Sequence, residues 1–323
     1  MESSSRLVAE LARELATPTF GVVSRRQLNA AGIDRHAIRT QVRAGRWAPH
    51  GAHALRIHDA PWCPVRSVII SSVLNAGASA WADGEAALVL AGFEGWRSSR
   101  IDVGLPRGSR GRAEGAVPPD VESGFSRGGP RSATIHHHCL AAVPRLLPHP
   151  VARAHPSVAA LRAAAWAASD RQAATLLAMT VQQRIVRADQ LLDALTLLPK
   201  LPRRALITGV LADITGGSES MGELDFVRAC RRRRLPVPSR QVTRHGVGGR
   251  IHLDVLWEEA GLVVEVDGAH HFIGDAPIAD ALRQNDVTLQ NLTVLRIPRL
   301  ALRVDPEPFF AQIERILTDR GIL

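Results

Sequence analysis

At 323 residues the chain exceeds a typical single core, so two or three domains are expected. Its 40 basic against 31 acidic residues give a net charge of +9, carried by arginine because Lys200 is the one lysine; a GC-rich genome explains arginine over lysine but not the positive balance, so an anionic partner, most simply nucleic acid, is expected. Three scattered cysteines (Cys63, Cys139 and Cys230), no signal-peptide pattern in the opening residues and no apolar run of about 18 residues argue against a disulfide framework, secretion and a membrane span, and predict a soluble, cytoplasmic protein.

Residues 1–62 read as short helices followed by a hairpin. Leu7, Leu11 and Leu15 recur at helical spacing, and Ser24-Arg25-Arg26-Gln27 is a capping box opening a second helix that ends near Gly32. Asp34 caps a third helix, Arg35 to Arg43. Helix, short Gly-containing turn and helix form the helix-turn-helix pattern. In the third helix Ile38 and Val42 face the core, which leaves Arg35, Arg39 and Arg43, with Arg46 beyond, as a basic stripe suited to a phosphate backbone or groove edge. Arg25 and Arg26 add to that DNA-binding surface. Gly45-Arg46-Trp47 and Gly51 to Leu55 read as a β-wing; a protein-docking module is the alternative.

This segment resembles the winged-helix domain that begins AbiEi-type antitoxins. The matching residues are Gly21-Val22-Val23-Ser24-Arg25-Arg26-Gln27-Leu28, Ala31-Gly32-Ile33, Ile38-Arg39 and Gly45-Arg46-Trp47. The family's usual Gly-Val-Tyr wing is replaced by Gly51-Ala52-His53.

Residues 63–215 predict an α+β middle domain with a helical block. Val68 to Leu74 and Ala80 to Leu90 have helical spacing, Ile101 to Pro106 and Thr134 to Leu140 read as strands, and Arg107 to Gly129 reads as a mobile basic loop. His136, His137, His138 and Cys139 suggest zinc at first sight. Only His136 and His138 share a strand face, however, and no second Cys/His pair lies at finger spacing, so no metal is assigned there. Val158 to Ala168, Arg171 to Val186 and Ala188 to Leu198 carry Ala/Leu-rich helical stripes, and Gly216-Gly217-Ser218 marks the boundary of a last domain, 216–323.

That last domain carries three carboxylates on two neighbouring apolar segments. Ile251 to Trp257 and Leu262 to Asp267 read as strands joined by a Glu258-Glu259-Ala260-Gly261 hairpin. Strand alternation puts Glu265 and Asp267 on one face and Val264 and Val266 on the other, and lets Asp254 face the acids across the pair. Burying such a set costs several kcal/mol unless a cation neutralises it, and oxygen ligands suit Mg²⁺ or Mn²⁺. The plainer reading pairs Asp254 with Arg250 or Arg283 and makes Glu265 a structural carboxylate.

The order of these residues resembles the PD-(D/E)XK nucleases, and more closely the Vsr-like branch that includes very-short-patch-repair endonucleases and domain-of-unknown-function family 559. The likeness rests on Asp254, Glu265, Asp267, Gly268, His271, Asp280, Arg283 and Val294-Leu295-Arg296, with Ser220 to Glu223 opening an upstream helix. It implies a restriction-endonuclease-like α-β-β-β-α-β core and a Mg²⁺ or Mn²⁺ ion held by Asp254, Glu265 or Asp267 and the Val266 carbonyl. It further implies Glu223 near the metal, His271 in proton transfer and Arg283 neutralising the scissile phosphate. Where the superfamily usually places lysine this chain has Asp267, as the branch does. The expected protein is a multidomain α/β (α+β) DNA-binding protein with a metal-dependent endodeoxyribonuclease domain. The alternatives are a non-catalytic regulator or antitoxin with a repurposed nuclease fold, working with a toxin or repair partner, and an RNA-directed or defence-associated nuclease.

Overall fold

A computed structural model describes the protein over residues 2–96, 100–109, 134–140, 145–148, 150–215, 219–246, 249–267 and 292–323. Among the described residues the chain is mixed α and β with three sheets. It divides into two compact units, one of Met1–Trp166 with Met179–Pro202, the other of Ala167–Ala178 with Arg203–Leu323. Among the described residues no helix is long and apolar enough to cross a membrane.

The first unit begins with helix α1 (Glu2–Ala16), strand β1 (Val22–Ser24), helices α2 (Arg25–Ala30) and α3 (Arg35–Arg43), and strands β2 (Trp47–Pro49) and β3 (Ala54–Ile57). The expected caps are present: Ser24 Oγ accepts from Gln27 N at 3.1 Å while Gln27 Oε1 accepts from Ser24 N at 2.9 Å. The Asp34 carboxylate accepts the amides of His36 and Ala37. Such caps satisfy amides that have no partner within the helix. Leu28, Ile33, Ile38, Trp47, Leu55 and Ile57 then close a core under the antiparallel sheet β1-β3-β2.

Helix α4 (Pro64–Ala76) packs on that sheet and on a second one, in the order β6-β5-β4-β8-β7. Its strands are β4 (Trp81–Ala82), β5 (Arg100–Pro106), β6 (Thr134–Leu140), β7 (Leu146–Leu147) and β8 (Arg153–Ala154). The helical spacing of 80–90 is only partly realised. Trp81 and Ala82 pair with β5, and helix α5 (Gly84–Leu90) starts after Asp83, whose carboxylate accepts the Gly84 amide. The cap and the strand pairing override the apolar period. Most of the expected basic loop, 110–129, lies outside the described residues. Helices α6 (Pro156–Trp166), α7 (Asp170–Gln182) and α8 (Ala188–Thr196) follow, each close to its expected span, and α7 contributes to both units.

The second unit contains α9 (Arg204–Ile214), α10 (Glu219–Arg232), β9 (Ser239–Gly246), β10 (Gly249–Trp257), β11 (Leu262–Asp267), β12 (Thr293–Pro298), α11 (Arg299–Val304) and α12 (Glu307–Asp319). Its sheet runs β12-β11-β10-β9, antiparallel except for the β11–β12 pair. Pleating sends Leu262, Val264 and Val266 into a core with Phe226 of α10 and Phe310, Ile313 and Leu317 of α12. Leu256 and Val263 occupy the opposite face with Val242, Leu292 and Val294.

Candidate functional site

Two of the acids expected to hold a metal, Asp254 and Glu265, sit on the face of the sheet opposite α10 and α12. The register Val255↔Val264 and Leu256↔Val263 puts Asp254 and Glu265 on the Leu256/Val263 side of adjacent strands. Asp254 is half-buried, and its Oδ2 accepts the Val266 N–H at 2.9 Å, so the carboxylate fixes the backbone of β11. Glu265 is only 4% exposed. A buried carboxylate needs compensation, and part of it comes from Arg296, its register partner on β12, whose Nε lies 3.3 Å from Glu265 Oε2. Val266 turns its own side chain into the helix-covered core, consistent with a role confined to its backbone.

The remaining expected ligands are less fully placed. Asp267 ends β11 and Glu223 lies on α10; only their backbones are described. Gly268, His271, Asp280 and Arg283 lie outside the described residues. Among the described residues no three His, Cys, Asp or Glu side chains gather to hold a metal. The donors that are placed, two carboxylates on one face with one of them buried, are hard oxygen ligands and fit Mg²⁺ or Mn²⁺ in kind. Cys230 lies behind the sheet in the helix-covered core, away from these carboxylates, and burial pushes its thiol up to about 12.

The N-terminal arginines form a second group. Arg35, Arg39 and Arg43 of α3 are exposed while Ile38 is buried. Arg26 and Arg46 are exposed as well, and Arg25 is half-buried. The Arg46 Nε donates to Gln41 Oε1 at 2.6 Å, and Gln41 is itself buried. Among the described residues none of Arg26, Arg35, Arg39 and Arg43 forms a salt bridge. The hairpin beside them is clamped: Asn75 Oδ1 accepts from His53 N and Ala54 N at 2.8 and 3.1 Å, and its Nδ2 donates to His50 O at 2.8 Å. Gly51, at φ 104°, lies against this amide, where a Cβ would collide.

Sequence spacing did not reveal a third cluster, in the middle of the first unit. Asp102, fully buried on β5, accepts from Arg100 Nη2 at 2.7 Å and lies 2.9 Å from His138 Nε2. His138 in turn stacks on Trp166 with ring centroids 3.6 Å apart. Burial pushes the Asp102 carboxyl up, but the hydrogen bond with His138 and the Arg100 charge outweigh it and hold it below its ordinary value. Asp83, also fully buried, pairs with Arg162 Nη1 at 2.5 Å and accepts from Trp81 Nε1 at 2.9 Å. Each carboxylate here has its own fixed partners, which marks a structural network. The strand alternation of His136 and His138 was the one available signal, and it pointed to a shared face without naming Asp102. Compared with known proteins, the chain matches no family model and no curated sequence.

Proposed function

We propose that the second unit is a Vsr-like nuclease domain of the PD-(D/E)XK type, that the first unit opens with a winged helix resembling that of AbiEi-type antitoxins, and that the protein cleaves DNA with Mg²⁺ or Mn²⁺. The observation that carries this reading is the pairing of Asp254 and Glu265 on one face of the β10–β11 hairpin, next to a fourth strand parallel to β11. In chain order, helix α10, three antiparallel strands and a strand parallel to β11 are consistent with the α-β-β-β-α-β core that the nuclease resemblance implies, the second helix of which falls outside the described residues.

In this reading Asp254 has two duties. One carboxylate oxygen holds the Val266 amide and so presents the end of β11; the other remains a donor toward the ion. Glu265 supplies the second carboxylate, with Arg296 limiting the cost of its burial when no ion is bound. A bound Mg²⁺ would activate water and offset charge on the phosphate. Asp267, Glu223, His271 and Arg283 keep the roles that the resemblance gives them. Arg35, Arg39 and Arg43 grip the phosphate backbone, with Arg26 and Arg46 at the edges.

A second reading is favoured by the Glu265–Arg296 contact: a carboxylate already matched by a guanidinium serves equally in a DNA-binding regulator whose nuclease-like fold no longer cuts. Manganese binding separates the two. The wild type should bind Mn²⁺ in a calorimetric or paramagnetic titration and Asp254→Asn should bind it far more weakly; equal binding by both would remove Asp254 from the metal site.

A further inference from the structure

Helix α10 ends at Arg231-Arg232, and Arg233-Arg234 follow in the turn after it. Arg233 turns inward: it pairs with Glu307, and its guanidinium lies 4.0 Å over the Phe310 ring. Arg231, Arg232 and Arg234 are exposed, and among the described residues they form no salt bridge. Several other arginines of the same unit find acids: Arg303 pairs with Asp213, Arg203 with Asp170 and Arg296 with Glu265.

The partial negative charge of a helix C-terminus attracts a cation or two in its last turn. It does not account for three unneutralised guanidinium groups side by side, which repel one another, nor for Arg234, which lies past the helix. Arg234 has φ 59°, the left-handed conformation that ends many helices and in which glycine is the cheaper residue. A side chain kept at a strained position suggests a use for it. The run is also firmly anchored. Leu235 N donates to Cys230 O at 3.0 Å, and Trp257 Nε1 on β10 donates to Pro236 O at 2.8 Å, which ties the segment to the strand bearing Asp254.

We infer that Arg231, Arg232 and Arg234 form a second contact surface for the phosphate backbone of double-stranded DNA, on the unit that carries Asp254 and Glu265. The inference rests on the reading of the protein as one that acts on DNA, but not on the α3 surface or on cleavage. Three exposed cations on an anchored backbone, with no acid paired to them among the described residues, complement an evenly spaced polyanion.

The test uses the full-length protein in EDTA, where cutting cannot occur, and follows binding to a labelled duplex by anisotropy as salt rises. Each phosphate contact contributes about 0.9 to the slope of log affinity against log salt. The variant R231Q/R232Q/R234Q should therefore lose about 2.7 of that slope, so that between about 50 and 200 mM salt the wild type forfeits about 40-fold more affinity than the variant. The same loss should appear in a R35Q/R39Q/R43Q background, since the two surfaces act independently. A second variant, Arg234→Gly, should bind more weakly while its Tm holds or rises, because glycine relieves the backbone. Unchanged slopes in both backgrounds, with thermal melts showing folded protein, would overturn the inference. If the α3 variant alone abolished binding and R231Q/R232Q/R234Q matched the wild type, the inference would fall while the winged-helix reading stood. If the wild type bound no duplex at all, the inference would fall too, and the Mn²⁺ titration would still judge the metal site separately.

Discussion

Replacing Asp254 by asparagine and by alanine separates the observed backbone bond from the proposed metal-binding role. Asp254 Oδ2 accepts the Val266 N–H at 2.9 Å, and Val266 is 7% exposed, so little water can replace the bond. Alanine would leave a nearly buried amide unsatisfied at about 1–3 kcal/mol, which in a unit of this size lowers Tm by about 2–4 °C per kcal/mol. Asparagine keeps an acceptor oxygen at the same place and should cost under about 1 kcal/mol, but it removes the charge that attracts the ion. Cleavage of a supercoiled plasmid under Mg²⁺ should fall by at least about 100-fold in both variants, whereas the Tm should drop clearly only in Asp254→Ala. An asparagine variant that cuts within about twofold of the wild type would show the carboxylate to be only a backbone clamp.

In EDTA, R35Q/R39Q/R43Q should lower the salt slope of duplex binding by about 2.7, one increment per exposed arginine of α3; an unaltered slope would move the N-terminal contact elsewhere. Gly51→Ala should destabilise the first unit by about 1–3 kcal/mol, from the collision with Asn75 and the positive φ, seen as a lower Tm; an unchanged Tm would show that the clamp yields at little cost. Asp102, with its folded pKa depressed, stabilises the fold above the unfolded carboxylate value of about 3.9, and that contribution is lost as pH falls through the lower folded value. Asp102→Asn should therefore be less stable at neutral pH and lose less stability on acidification; parallel Tm–pH curves for the two proteins would contradict the assignment.

The legible parts of this fold are those whose causes are local. Ser24 and Asp34 cap helices within three residues of themselves, and a composition-level reading places α2 and α3 almost to the residue. The Glu258–Gly261 hairpin likewise joins two segments of strong β-propensity, and alternation allowed Asp254 to face Glu265 across the pair, but the register Val255↔Val264 is what puts them on one face. Non-local pairings were hidden. Trp81 and Ala82 form a strand only because β5 and β8, distant in sequence, lie beside them. The short strands β7 and β8 have no periodic signal at two residues each. The Asp102–His138 contact joins residues 36 positions apart across a parallel pair. Arg296 stood out as part of a closing strand, but its place beside Glu265 depends on the β11–β12 register, which spacing does not disclose.

In the proposed function a metal-dependent nuclease site is built on Asp254 and Glu265. Incubating supercoiled plasmid with the full-length protein in Mg²⁺, in Mn²⁺ and in EDTA, beside Glu265→Gln, tests it most directly. Nicked or linear DNA is expected from the wild type in either metal, and none in EDTA or from the variant. Intact plasmid in both metals, from folded wild-type protein shown to bind that DNA, would contradict it and leave a DNA-binding protein that does not cut.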